Sequence, residues 1–525
     1  MNYAVWLGLI SACALAAQST PNQASIEGLV LNSATGAPVR KAAVALRSSK
    51  VDLDAETDGE GRFQFTELPA GVYKLSAKRP GFLERASHRA ITLASDGHLT
   101  GAEIRLLPQG VISGLVLDED GDPIGDAKVA LYRQVFEDGK PRWAGVNRLV
   151  TTNDLGEYRW PHLKPGHYLV LAQDDTPATH NRYGDEEATW ESVRVSRPTY
   201  YPNTLSRAEA SPVEVGPGAD VSGIDIHIVK VAIPHHFHVS GKVVGVPQDS
   251  QQEVSVNFYA EDEASLSSGG GTALPPNYTF TASVGPGRNN FRANVYSDHP
   301  VAYAAGNISV AGDVSGLVVV LSPAPEVTGR ITVAEGASGV KLKGVGTTLM
   351  RGDYSTGVFG ISSDATGKLV FGRPGAPGSY RLGVEASTIP EGCYLQQVKF
   401  AGQTASMDAI EIDASGEIEI VLSRTAATIV GSAQDDDGKP VPGAKVLLIS
   451  EDGRSRAELK TANDDGRFKF TALRPGSYRL YAWEEVDEDL CQDPEFLRKC
   501  AARATAVTVG PSETQEAQPR VIAAQ

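Results

Sequence analysis

Apolar and polar residues alternate with a period of two along most of this chain, in short runs broken by Gly, Pro, Asp and Asn. This is the pattern of half-buried β-strands joined by tight turns. The clearest stretch is Arg467-Phe468-Lys469-Phe470, which places both rings on one face and both cations on the other. It is preceded by a strand at 428–433, an Asp435-Asp436-Asp437-Gly438-Lys439-Pro440 turn and an apolar strand at 443–449. It is followed by Leu473-Arg474-Pro475-Gly476-Ser477-Tyr478, where Pro-Gly suits a type II turn and Tyr478, Leu480 and Ala482 alternate inward.

The same order recurs. The pattern [Val/Ile]-x-Gly-x-[Val/Ile/Ala] occurs around Gly28, Gly114, Gly241, Gly329 and Gly431, at the spacing of small domains. A glycine inside a strand marks a bulge or the close approach of another backbone. Gly61-Arg62-Phe63-Gln64-Phe65, Gly156-Glu157-Tyr158-Arg159-Trp160 and Gly367-Lys368-Leu369-Val370-Phe371 repeat the paired-aromatic strand. Leu68-Pro69-Ala70-Gly71-Val72-Tyr73, Leu163-Lys164-Pro165-Gly166-His167-Tyr168 and Pro377-Gly378-Ser379-Tyr380 repeat the corner. The third copy is degenerate and keeps only Tyr278-Thr279-Phe280 and Pro286-Gly287 between its ends. The expected fold is all-β, a tandem array of about five Greek-key β-sandwiches of seven strands each. The expected division is 24–108, 109–231, 232–323, 324–424 and 425–525, joined by short linkers into a semi-rigid string. The best helix candidate is 493–499.

Val-x-Gly-x-Val, Gly-x-Pro-x-x-Gly-Ala-x-Val, Thr-x-x-x-Gly-x-Phe-x-Phe and Leu-x-Pro-Gly-x-Tyr together resemble the carboxypeptidase regulatory-like domain family. The resemblance is strongest in the first, second and fifth modules. It implies a transthyretin-like (prealbumin-like) sandwich, often grouped with carbohydrate-binding-like folds, that serves as a non-catalytic appendage in exported bacterial proteins. Fold alone names no ligand. Related surface sandwiches called Cna-B domains form Lys–Asn isopeptide bonds. Glu385 stands one position away from where such a bond needs its acid, so no crosslink is expected.

The net charge is −16 with no block of Lys or Arg, which argues against nucleic acid and anionic lipid as partners. The apolar run from Ala4 to Leu15 is too short to span a bilayer and reads as an export signal over residues 1–17. Ala14-Leu15-Ala16 offers a cleavage site, and Ile10-Ser11-Ala12-Cys13 offers the alternative of lipidation at Cys13. No later stretch reads as a transmembrane helix. Cys491 and Cys500 flank a short acidic segment and could pair in an oxidising compartment, leaving Cys393 odd.

The most unusual segment is a long insertion, 174–219, holding Tyr183, Trp190, Tyr200 and Tyr201, with a second loop, 134–148, that adds Phe136 and Trp143. Exposed rings on a rigid sandwich stack on sugars; folded back, the same rings form a satellite core. Pro234-His235-His236-Phe237-His238 lacks an acidic third ligand and reads as a linker. Asp118-Glu119-Asp120-Gly121-Asp122 resembles a calcium loop, but Pro123 and Val129 stand where Gly and Glu are required, so turn chemistry explains it. The acidic run 484–489 reads as a solvated loop. No metal, cofactor or catalytic constellation is expected. The sequence therefore points to an exported, monomeric, non-enzymatic protein with a structural, adhesive or scaffolding role at the cell envelope and a cell-envelope protein as its partner. The alternative is a carbohydrate-binding protein that holds an extracellular glycan through the aromatic loops of the second module.

Overall fold

The computed structural model describes residues 24–83, 85–86, 91–174, 194–232, 236–246, 252–260, 268–296, 300–336, 338–351, 357–372 and 377–523. Strands dominate; the α-helix among these residues is Pro494–Cys500, capped by Asp493, whose side chain accepts from the Glu495 amide. The chain divides into two compact units, residues 1–108 and 109–525.

One pairing scheme recurs at every Gly-marked strand. In the first unit Ala24–Asn32 pairs antiparallel with Arg62–Leu68 and parallel with His98–Leu106. The facing sheet is built on Ala43–Arg47 and Gly71–Lys78, with Asp52–Glu56, Ile91–Leu93 and the two-residue Arg85–Ala86 at its edges. Without that short addition the count is the expected seven. Ile26, Val30, Phe63, Phe65, Tyr73 and Leu75 fill the space between the sheets. In the second unit the parallel partner is supplied by 220–221 and 226–227, by 314–320, by 416–423 and by 514–517 in turn. Each arrangement encloses its own apolar core.

The glycines follow from this pairing. A methyl group on Gly28 would strike the Ala102 carbonyl and come within 2.6 Å of Phe63 Cζ. Gly114, Gly241 and Gly431 face the carbonyls of Ile224, Leu317 and Ala517 in the same way, so a close parallel backbone explains four of the five. At Gly329 the obstacle is instead the Phe371 ring at 2.6 Å.

The Pro-Gly corners depart from expectation. Gly166 and Gly378 have φ of 147° and 146°, far from the ~80° of a type II turn. The left-handed position lies earlier, at Glu67 (58°), His162 (66°) and Ala472 (57°), each just before the corner leucine. There the antiparallel ladder shifts register, so the sharp bend is a bulge on the preceding strand. The corner tyrosines close the bend: the hydroxyls of Tyr73, Tyr168 and Tyr478 donate to the carbonyls of Pro69, Lys164 and Arg474 at 2.6, 2.7 and 2.6 Å.

The degenerate third module keeps the scheme with different packing. Phe280 alone occupies the aromatic strand Thr279–Val284, and Phe258 and Phe291 fill the space, with ring centroids 6.3 and 6.0 Å from Phe258 to Phe280 and Phe291. Its Gly-rich strand, Ser268–Ala273, lies against the Ser283 and Thr281 carbonyls, where a side chain on Gly269 or Gly271 would collide.

Candidate functional site

The 134–148 segment is a long hairpin of Lys128–Glu137 and Lys140–Thr151 rather than a loop. Trp143 stands half-exposed on its outer strand, paired with Gln134. Tyr200 is buried in the strand Thr199–Tyr200, which pairs with Leu171 and Ala172. Tyr201 packs against the second module's core. Arg207 lies 4.9 Å over the Tyr132 ring and donates to the Tyr200 hydroxyl at 3.2 Å. The described part of the insertion is therefore woven into the sheet, and Tyr200 and Tyr201 belong to packing rather than to an open stacking platform. Tyr183, Trp190 and Cys13 lie outside the described residues, as does the expected signal segment.

The Asp-rich turns are occupied by their own backbone. Asp118 Oδ1 accepts from the amides of Asp120 and Asp122 at 3.0 and 2.9 Å. Asp58, Asn153, Asp364, Asp435 and Asn463 repeat this Asx geometry. The hydrogen bond from the Asp122 amide heads the influences that hold the Asp118 carboxyl below its ordinary range. Among the described residues no group of three or more His, Cys, Asp or Glu side chains is placed to hold a metal.

The acidic run 484–489, expected as a solvated loop, is instead half of a charged junction. On Lys128–Glu137 the buried phase reads Val129, Leu131, Arg133, Val135, so Arg133 points where an apolar residue would point. Its side chain is 7% exposed and pairs with Asp487 at 2.5 Å and Asp489 at 2.9 Å. Nη2 also donates to the Pro165 carbonyl at 2.8 Å, while Nε has no partner. Lys164, in the neighbouring corner, lies 3.6 and 3.8 Å from the same two carboxylates. Burial works against a charge on Asp487, but the hydrogen bond and field of Arg133, with Lys164 behind it, outweigh it and hold the carboxyl below the usual range. Around this centre the Phe136 amide donates to the Asp489 carbonyl at 2.9 Å, and the Asp138 amide to Gln492 Oε1 at 2.7 Å. Asp138 in turn accepts from the Ala457 amide at 3.1 Å. The fourth module joins through Arg381, 3.7 Å from Glu137, and through Asp408, 2.9 Å from Arg456 of the fifth module.

A small apolar platform carries the acidic loop. Tyr481 and Trp483 stack at 5.7 Å, Phe496 adds a third ring 5.8 Å from Trp483, and Cys491 and Cys500 are buried in the same cluster. The expected pairing of these cysteines is absent: both are free thiols, and Cys491 Sγ is turned to the Glu488 carbonyl at 3.3 Å. Burial pushes the Cys491 thiol up to about 12. Cys393 is likewise free and buried.

Sequence reading did not single out Arg133, Lys164, Asp487 or Asp489. The usable signal was Arg133 itself, a cation in the inward phase of an otherwise apolar strand.

Repeated sandwiches, each with a parallel closing strand, define a tandem β-sandwich protein. Residues 25–106 and 428–486 match the carboxypeptidase regulatory-like domain family. No curated protein matches the chain. Among solved structures it is similar to the Bacillus anthracis TIE protein, at 12% identity over 57% of this chain and 51% of that one, with a TM-score of 0.18. It is also similar to a Streptococcal ancillary pilin (12% identity, 57% and 99% covered, TM-score 0.21). A third is the pair of B repeat units of the Staphylococcus aureus collagen binding protein (13%, 76% and 99%, TM-score 0.13). The chain thus spans about half of the TIE structure. No helix among the described residues is long and apolar enough to cross a membrane.

Proposed function

We propose that this chain is an exported, non-catalytic structural or adhesive protein of the cell envelope, divided into modules at 24–108, 109–231, 232–323, 324–424 and 425–525. The observation that carries this reading is the use made of its charged groups. Turn carboxylates bind their own backbone, and the buried guanidinium of Arg133 joins one module to another rather than facing a cleft. Such a molecule holds surfaces at fixed positions. The apolar N-terminal run supports export, by cleavage near residue 17 or by lipidation at Cys13. Fractionation of cells producing a C-terminally tagged chain tests it: the tag is expected in the envelope fraction, and recovery from the cytoplasm with an uncleaved N-terminus would overturn export.

Glycan binding is the second reading, supported by Trp143 half-exposed on its hairpin. It predicts retention on an insoluble polysaccharide that Trp143→Ala or Trp190→Ala reduces at least tenfold. Absence of retention, or retention indifferent to both changes, rejects it.

A further inference from the structure

We propose that the hairpin of the second module and the acidic loop of the fifth also pair between two copies of this chain, linking them through the Arg133–Asp487/Asp489 contact. The inference goes beyond the structural role above and does not depend on export or adhesion.

Both sides are built for the junction. The hairpin strands are 10 and 12 residues long, against five and five at the same place in the first module and six and four in the fifth. The added length carries the tip, Phe136 and Asp138, that meets the loop beyond Arg133. The loop belongs to an insertion between Gly476–Trp483 and Thr505–Val509 that the helix Pro494–Cys500 completes.

Each side keeps its shape alone. The amides of Leu490 and Cys491 donate to the Asp487 carbonyl at 3.0 and 2.9 Å, and the Asp489 amide to Asp487 Oδ1 at 3.1 Å. Tyr481, Trp483 and Phe496 support the loop from below. The hairpin is fixed by its own ladder from Lys128↔Thr151 to Glu137↔Lys140. Separation therefore needs no unfolding, only movement between modules, and it returns charged groups to water rather than exposing a core.

Arg133 and Asp487 are 354 positions apart in one chain, and the folded modules between them hold the two patches near each other, which favours the contact within one copy over the contact between copies in dilute solution. The same contact made in trans exchanges identical elements and needs no new complementarity. The two patches differ, so trans pairing gives either a reciprocal pair of copies or a head-to-tail row.

Complementary variants of the full chain remove the competing cis contact. Arg133→Glu keeps an intact acidic loop, and Asp487→Arg/Asp489→Arg keeps an intact hairpin. In sedimentation velocity each variant alone is expected to be monomeric, and their equimolar mixture to give a one-to-one complex at about 100 µM. A mixture that stays monomeric at that concentration overturns the proposal. So does a complex that still forms when Arg133→Glu is mixed with the Arg133→Ala variant, since neither then offers the guanidinium. Should a charge reversal disturb the β-sheet circular dichroism, Arg133→Ala mixed with Asp487→Asn/Asp489→Asn makes the same test with the same two outcomes.

Discussion

Gly28 and Gly59 lie in the same module and separate what a glycine does by packing from what it does by chance. Gly28 faces the Ala102 carbonyl and the Phe63 ring, whereas nothing lies within 4 Å of a methyl on Gly59. Gly28→Ala must push a parallel strand away and is expected to cost at least about 2 kcal/mol; Gly59→Ala is expected to change stability by less than about 0.5 kcal/mol. Urea unfolding followed by circular dichroism checks both. The close approach was legible in the sequence because glycine recurs in mid-strand, where it otherwise only weakens the strand. The role of Thr57 was less legible. Its hydroxyl donates to the Val39 carbonyl at 2.7 Å and accepts from the Ala42 amide at 2.8 Å. Thr152 does the same between the Ile124 carbonyl and the Ala127 amide. The sequence displays the threonine before Gly-x-Phe-x-Phe as a repeated letter, but its two partners lie in the turn that leads into another strand. Thr57→Val keeps the shape, strands both backbone groups, and is expected to lower stability by about 1–3 kcal/mol in the same assay.

At the scale of elements, strands and turns were readable because period-two alternation and Gly/Asn/Asp turns are local signals. The helix at 494–500 was readable from its Asp-Pro start. The bulge before each corner leucine was not: Glu67, His162 and Ala472 are ordinary residues held left-handed by the strands around them. The junction was hidden for a related reason. Its two halves lie far apart in the chain, and an acidic run looks the same whether water or an arginine faces it. The hairpin now yields a specific expectation. Arg133→Met keeps the buried stem and removes the guanidinium, leaving Asp487 without its main partner. The Phe136 and Asp138 amides, bonded to Asp489 and Gln492, should then exchange with solvent at least tenfold faster. Core amides of the second module, such as Leu131, should be unchanged. Equal acceleration across the module would mean that Arg133 stabilises the sandwich rather than the junction.

For the whole molecule the question is whether the second unit is a string or a closed body. Short linkers predict a semi-rigid string, since they are visible in the sequence and distant contacts are not. The contacts of Arg133, Asp138, Arg381 and Arg456 instead tie the second, fourth and fifth modules together. The Asp487 carboxyl is depressed below its ordinary value near 4, so its contribution to closure is complete above that value and is lost as pH falls through the lowered one. Small-angle scattering is expected to show expansion below about pH 4 while β-sheet circular dichroism persists. Asp487→Asn should already be expanded at pH 7 and respond less to acid. The most direct test is a covalent one. A side chain at Gly139 would lie 3.7 Å from Pro494 Cγ, so Gly139→Cys/Pro494→Cys should oxidise to an intramolecular disulfide at high dilution and migrate as a compact looped species on non-reducing gels. If the two thiols stay reduced under mild oxidant in the otherwise folded chain, the two modules are not held together, and the closed second unit is contradicted.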